Sequence, residues 1–178
     1  MRVITGIYGG RHYRPSADKW PTRPTTDISK EGLYNVLTHR IDFEETRFLD
    51  LFGGTGSHCY ECLSRGCTDA HYVDKHRPAV RFVQSISEEW GLEDHLTIHG
   101  MDVFRFIKQC DDSFNYIFAG PPYPLRSIPQ IPDIVLDRGL LADGGLFVLE
   151  HNADHIFKDH FRFSELRTYG GTHFSFFE

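Results

Sequence analysis

The sequence predicts an α/β fold. It is a Rossmann-like class with a seven-stranded, mostly parallel sheet, helices on both faces, a C-terminal antiparallel hairpin and an N-terminal β-hairpin extension. Three observations predict it. Short apolar runs alternate with helix-length segments from about residue 46 to 150, the pattern of βαβ units. Strand-like runs then dominate the end of the chain, around Gly170-Gly171. Asp50-Leu51-Phe52-Gly53-Gly54-Thr55-Gly56 reads as a strand that enters a glycine turn and then a helix, as nucleotide-binding folds require. A length of 178 residues allows one domain with a full core, so residues 1–178 are expected to form one unit, with 1–15 as a hairpin arm and 26–178 as the core.

Residues 2–14 alternate, and Gly9-Gly10 between two β-prone runs signals a tight hairpin;. Its second strand is expected to present Arg11, His12, Tyr13 and Arg14 on an exposed ribbon, as an appendage to the core. Pro15, Pro21 and Pro24 make 15–25 a loop. Thr26 or Asp27 caps a helix over 28–38 with Leu33, Val36 and Leu37 on its apolar side. Phe48 to Phe52 is a short strand, followed by a helix from 57 to 65 that stops at Gly66. Ala70 to Asp74 is the second strand, and a helix over 76–90 ends at Gly91. Leu96 to His99 is the third strand, Val103 to Gln109 a short helix, and Tyr116 to Phe118 the fourth strand. Ile131 to Arg138 is helical, Gly144-Gly145 is a turn, and Leu146 to Glu150 is the fifth strand. Residues 161–168 and 172–177 form the last two.

An apolar fraction of 40% and a charged fraction of 25% are those of an ordinary globular protein. No apolar run approaches the ~20 residues of a membrane span, and the N-terminus lacks a secretory core, so a cytoplasmic protein is expected. The net charge is −6, yet residues 1–40 carry seven basic against three acidic side chains. A basic arm on an acidic body can bind a polyanion locally; a solvated, mildly basic N-terminus is the alternative. Cys59 and Cys62 form a C-x-x-C near His58 and Cys67, but no second pair completes a tetrahedral zinc set. Reduced thiols under a helix are expected, and no metal.

The glycine turn suits a cofactor without phosphate. Gly53, Gly54 and Gly56 let the backbone approach a ligand, and the helix after them aims its free N–H groups at the turn. A dinucleotide site favours G-x-G-x-x-G with no carboxylate there. Here Asp50 closes the strand and would receive an ammonium group, which favours S-adenosylmethionine over NAD. Asp74, about 20 residues on, is placed to hold ribose hydroxyls, and Asp102 to take an adenine amine; taken singly, each Asp reads as a helix cap or a solvated loop residue, and it is three carboxylates at the ends of successive strands that favour the cofactor. Phe118-Ala119-Gly120-Pro121-Pro122-Tyr123 is a strand entering a stiff turn. Its prolines fix backbone acceptors and its tyrosine can stack on a base presented out of its helix.

These residues carry a resemblance. The glycine turn with Pro121-Pro122-Tyr123 resembles amino-methyltransferases that use a D/N-P-P-Y motif. Met1 to Gly6, Arg23 to Asp27, Lys30 to Asn35, Leu63 to Gly66 and Tyr169 to Thr172 resemble the RsmD family of 16S ribosomal RNA guanine-N2 methyltransferases, in order along nearly the whole chain. The resemblance implies S-adenosylmethionine as donor and a guanine of 16S rRNA, or of a small-subunit assembly particle, as acceptor. By matching position Asp50, Gly54, Asp74 and Asp102 become cofactor residues, flanked by Thr26, Phe52, Gly53, Thr55, Gly56, Lys75 and Val103. Gly120, Pro121, Pro122 and Tyr123 become the catalytic turn. Arg2, Arg11, His12, Arg14 and Arg23 become RNA contacts. Separately from the resemblance, a monomer is expected. Gly120 departs from the pattern, which has Asp or Asn there to accept a hydrogen bond from the target amine. Loss of one positioned polar contact costs roughly 10²-fold in rate, so an Asp at Gly120 is expected to raise turnover more than cofactor affinity. Two alternatives follow: a cofactor- and RNA-binding protein with impaired catalysis, and a DNA adenine-N6 methyltransferase. A dehydrogenase fails on the glycine spacing.

Overall fold

The computed structural model describes residues 1–15 and 25–178. Its elements, in chain order, are α1 (Asp27–Leu37), β1 (Arg47–Leu51), α2 (Ser57–Ser64), β2 (Asp69–Val73), α3 (Arg77–Trp90), β3 (Leu96–His99), α4 (Val103–Gln109), β4 (Phe114–Ala119), α5 (Ile131–Asp137), β5 (Leu141–His151), β6 (Phe163–Tyr169) and β7 (Thr172–Phe177). One seven-stranded sheet runs in the order β3-β2-β1-β4-β5-β7-β6. β1 to β5 are parallel; β7 is antiparallel to β5 and to β6. The predicted fold class is borne out.

Alternation along the central strands builds two cores. Phe48, Tyr72, Tyr116, Phe118, Val148, Phe174 and Phe176 face one side, under α1, α2 and α3. Leu49, Leu51, Ile117, Phe147, Leu149 and Phe177 face the other, against α4 and α5. Asp50 has the parity of Phe48, so this carboxylate enters a packed interior. The helix ends follow their capping signals: Thr26 Oγ1 accepts the Ser29 N–H at 3.2 Å, and Gly91 closes α3 in the left-handed region.

Two local expectations are corrected. Gly144-Gly145 does not interrupt the chain before β5 but lies within it, where the register with β4 shifts between Phe114 and Tyr116. A glycine pair serves a bulge as readily as a turn. The arm does pair with itself, Val3 N–H donating to the Arg11 carbonyl at 3.0 Å and Tyr13 N–H to the Met1 carbonyl at 3.2 Å, but its turn is not the Gly9-Gly10 pair. It has one bridge, between Arg2 and His12, and a wider loop held by Ser64, whose carbonyl accepts the Ile7 N–H at 2.8 Å and whose Oγ accepts the Tyr8 N–H at 3.0 Å. Nor is it a pure appendage: Val3 and Tyr13 are buried in the first core. Tyr13, expected on the exposed ribbon, turns inward and donates to Ser57 Oγ at 2.8 Å. Arg2, Arg11, His12 and Arg14 stay exposed, while Arg23 lies outside the described residues. Among the described residues no helix is long and apolar enough to cross a membrane.

Candidate cofactor and base site

The strand order reverses between β1 and β4, which sends their connections to opposite sides and opens a crevice at their carboxyl ends. Leu51 pairs with Ala119, so the glycine turn and the proline turn emerge side by side. That juxtaposition is dictated by topology, and it brings together the two segments the sequence singled out.

The glycine turn is tightly braced. Gly53 N–H donates to the Val73 carbonyl at 3.1 Å and Gly56 N–H to the Gly53 carbonyl at 2.8 Å. Tyr72 Oη donates to the Gly54 carbonyl at 2.8 Å. A Cβ on Gly53 would lie 2.4 Å from the Tyr72 ring and 3.2 Å from Asp50 Oδ2; Gly56 holds φ +76 and a Cβ there would meet Tyr60 Oη at 2.7 Å. Phe52 adopts φ +62 although it is not glycine, a conformation that costs about 1–3 kcal/mol and marks functional turns. Its ring meets Phe104 edge-on at 6.0 Å. Thr55 is buried and α2 begins at Ser57.

Asp50 is 1% exposed. Burial pushes its carboxyl up to about 8; a hydrogen bond from Cys59 opposes the shift and the charges of Asp74 and Glu150 add to it. Oδ2 receives the Cys59 thiol at 3.5 Å, and Oδ1 has no hydrogen-bond partner among the described residues. A buried acceptor without a donor is costly, and a cationic group in the crevice would relieve it. Asp74 directly follows β2 with both oxygens engaged: Oδ2 accepts the Gly54 N–H at 2.9 Å and Oδ1 the His76 N–H at 2.8 Å. Spare lone pairs remain on each oxygen. Asp102 caps α4, accepting from Phe104 and Arg105 through Oδ1 and from Lys75 Nζ at 3.1 Å through Oδ2. Partial burial works against its charge, but Lys75 and the α4 N–H groups hold it below the usual range. Val103 is buried directly after it. Thr26 is engaged as the α1 cap.

At the second turn Pro121 is buried while Pro122 and Tyr123 are exposed. Tyr123 Oη donates to Glu150 Oε1 at 3.0 Å, and Thr25 Oγ1 donates to Glu150 Oε2 at 2.5 Å. Sequence reasoning missed Glu150. Burial raises its pKa against the pull of these two hydrogen bonds. The available signal was a lone acidic residue closing the apolar run Leu146 to Leu149. The C-x-x-C thiols, Cys59 and Cys62, are free and buried in α2; burial pushes both up.

Sheet order and crevice together define the class I S-adenosylmethionine-dependent methyltransferase fold. Within that fold, the chain belongs to the family described as conserved hypothetical protein 95, whose profile matches residues 1–178. It is 32% identical over 157 residues to the "Putative rRNA methyltransferase YlbH" of Bacillus subtilis, covering 86% of this chain and 84% of that one. It is 28% identical over 156 residues to the ribosomal RNA small subunit methyltransferase D of Escherichia coli K12, covering 87% and 76%. The solved structure of a hypothetical protein of Thermus thermophilus matches with a TM-score of 0.87 at 27% identity, covering 100% and 99%. The RsmD-like resemblance is borne out.

Proposed function

We propose that this chain transfers a methyl group from S-adenosylmethionine to the exocyclic N2 amine of a guanine in 16S rRNA, within the small ribosomal subunit or an assembly particle. The observation that carries the reading is the pairing of Leu51 with Ala119, which sets the glycine turn beside the Pro121-Pro122-Tyr123 turn. The family relationship supports rRNA as the acceptor class. We read residues 1–178 as one catalytic unit that acts in the cytoplasm as a monomer.

The residues fit the cofactor: a buried Asp50 oxygen with no hydrogen-bond partner among the described residues suits its ammonium, and the cradle at Gly53 and Gly56 is one that a Cβ would fill. S-adenosylmethionine supplies an activated methyl group when bound. Asp50, Phe52, Gly53, Gly54, Thr55 and Gly56 hold the amino-acid end, with Thr26 at its border. Asp74 and Lys75 take the ribose side, and Asp102 and Val103 the base side. Gly120, Pro121 and Pro122 present backbone acceptors to the target amine, and Tyr123 stacks the flipped base. Position and electrostatics, rather than a covalent enzyme intermediate, are what these side chains provide. The exposed Arg2, Arg11, His12 and Arg14, with Arg23, hold RNA phosphates.

Tritium transfer from labelled cofactor to undermethylated small-subunit particles, free 16S rRNA and duplex DNA tests the reading. Label in the RNA arms, recovered as N2-methylguanosine on digestion, is expected; label only in DNA would make it an adenine-N6 enzyme. The bare Gly120 favours a second reading, a binding protein with impaired catalysis. Cofactor binding without transfer to any arm would establish that one.

A further inference from the structure

We propose that Glu150 is the side-chain acceptor that receives the target amine, occupying the role for which position 120 has no side chain; this rests on the methyltransferase reading above. Each of the neighbouring parallel strands delivers a carboxylate to the crevice: Asp50 from β1, Asp74 after β2, Asp102 after β3 and Glu150 from β5. β4, at the centre, is followed by Gly120. Ala119 and Leu149 are paired in parallel register, so position 120 and Glu150 follow side by side. Parity places both on the face of Phe118, Val148 and Asp50.

Glu150 is held for such a role. It is 7% exposed, and its two oxygens are fixed by Tyr123 at 3.0 Å and Thr25 at 2.5 Å. A carboxylate oxygen accepts more than one hydrogen bond, so both retain a lone pair for an N–H. Tyr123, the proposed stacking residue, is bound to the same carboxylate, which couples the ring that grips the base to the group that would receive its amine. Burial makes this carboxylate a better base than an exposed one;. The step balances. The amine nitrogen forms the bond to the methyl carbon, the carbon–sulfur bond of the sulfonium donor breaks with its electron pair remaining on sulfur, and one N–H proton passes to Glu150.

The test compares wild type, Glu150→Gln, Tyr123→Phe, and Glu150→Gln combined with Gly120→Asp. Methyl transfer to undermethylated small-subunit particles is measured alongside S-adenosylhomocysteine affinity by calorimetry and thermal midpoint. Glutamine keeps the shape and can still hold Tyr123 and Thr25. A Cβ at position 120 would lie 3.1 Å from the Phe118 ring, which a shift of a few tenths of an ångström accommodates. The expected result is a kcat loss of about 10²-fold in Glu150→Gln, with affinity and midpoint near wild type. Gly120→Asp in that background should recover at least about tenfold, because it restores a carboxylate beside the amine. Three results overturn the proposal: near-wild-type kcat in Glu150→Gln, a loss shared by binding or stability, or no recovery with Gly120→Asp. A Tyr123→Phe loss equal to that of Glu150→Gln also overturns it, by assigning the effect to the tyrosine. Wild type that transfers no methyl group to the particles fails the methyltransferase reading itself, a result distinct from the other four.

Discussion

Lys30 and Glu61 form an ion pair from which water is excluded, Nζ to Oε2 at 3.5 Å with both side chains fully buried. Glu61 also accepts the Ile4 and Thr5 N–H groups at 2.8 and 3.2 Å and pairs with Arg65 at 2.9 Å. Lys30 donates to the Arg2 carbonyl at 2.7 Å. Burial pulls the lysine pKa down, and Glu61 opposes that pull. One carboxylate thus ties the N-terminal arm to α1 and α2.

The asymmetry of this pair predicts an ordering. Glu61→Ala strands a buried ammonium and two backbone donors, so it should destabilise the protein by about 3–5 kcal/mol. Lys30→Met leaves Glu61 with Arg65 and both N–H groups and should cost less. Denaturant unfolding measures both. Hydrogen exchange at Ile4 and Thr5 should accelerate in Glu61→Ala; equal protection in both variants would show that the carboxylate does not anchor the arm.

Asp50 gives a pH prediction. Its folded pKa of about 8 lies above the ordinary value near 4, so the native protein retains a proton that the unfolded chain has released. The stabilisation from this group is complete below about pH 4 and is lost as pH rises through about 8. Unfolding at a series of pH values should therefore show a decline over that window, flatter in Asp50→Asn. A cation placed on Asp50 favours its ionised form, so S-adenosylhomocysteine binding near pH 7 should release a proton. Calorimetry in buffers of different ionisation enthalpy reads that release, and its persistence in Asp50→Asn would remove Asp50 from the cofactor site.

Much of this was legible because it is local. The β3 and α4 limits follow from apolar spacing and an Asp cap, and the glycine turn announces itself by composition. What was not legible depends on contacts between distant segments. Glu150 comes to lie beside the second turn because Ala119 registers with Leu149, and nothing in the text of either strand specifies that register. Lys30 and Glu61 read as ordinary helix-surface charges until the arm covers them. Gly144-Gly145 reads as a turn because the same backbone freedom serves a bulge in β5. Tyr13 reads as part of an exposed ribbon because alternation does not say which face of a lone hairpin meets the core.

The cradle at Gly53 makes a separate prediction. An alanine Cβ would lie 2.4 Å from the Tyr72 ring, too close to stand, so the ring must move and its hydroxyl leave the Gly54 carbonyl. Gly53→Ala should weaken S-adenosylhomocysteine binding at least about tenfold, or 1.4 kcal/mol. Gly139→Ala, whose Cβ meets nothing within 4 Å although φ is +74, serves as the control for glycine loss away from the crevice. Equal affinity in the two variants would mean that the Gly53 cradle does not touch the cofactor.

The arm's surface makes the last. The Arg11 guanidinium lies 5.1 Å from the Tyr8 ring centroid and 5.3 Å from that of Trp90, and those two rings stack at 5.7 Å. Arg11, His12, Glu89 and Trp90 line a surface cavity of about 360 Å³. A guanidinium pre-oriented over two rings loses little freedom when it meets a phosphate, and each phosphate contact adds to the salt dependence of binding. Arg11→Ala should weaken binding to 16S rRNA and lower the slope of log affinity against log salt by about one. The two lost cation–π contacts cost only about 0.5–1 kcal/mol of stability each, and S-adenosylhomocysteine affinity should hold. An unchanged salt slope would leave Arg11 without a phosphate role, because a merely structural arginine would alter the unfolding curve and not the ionic-strength dependence.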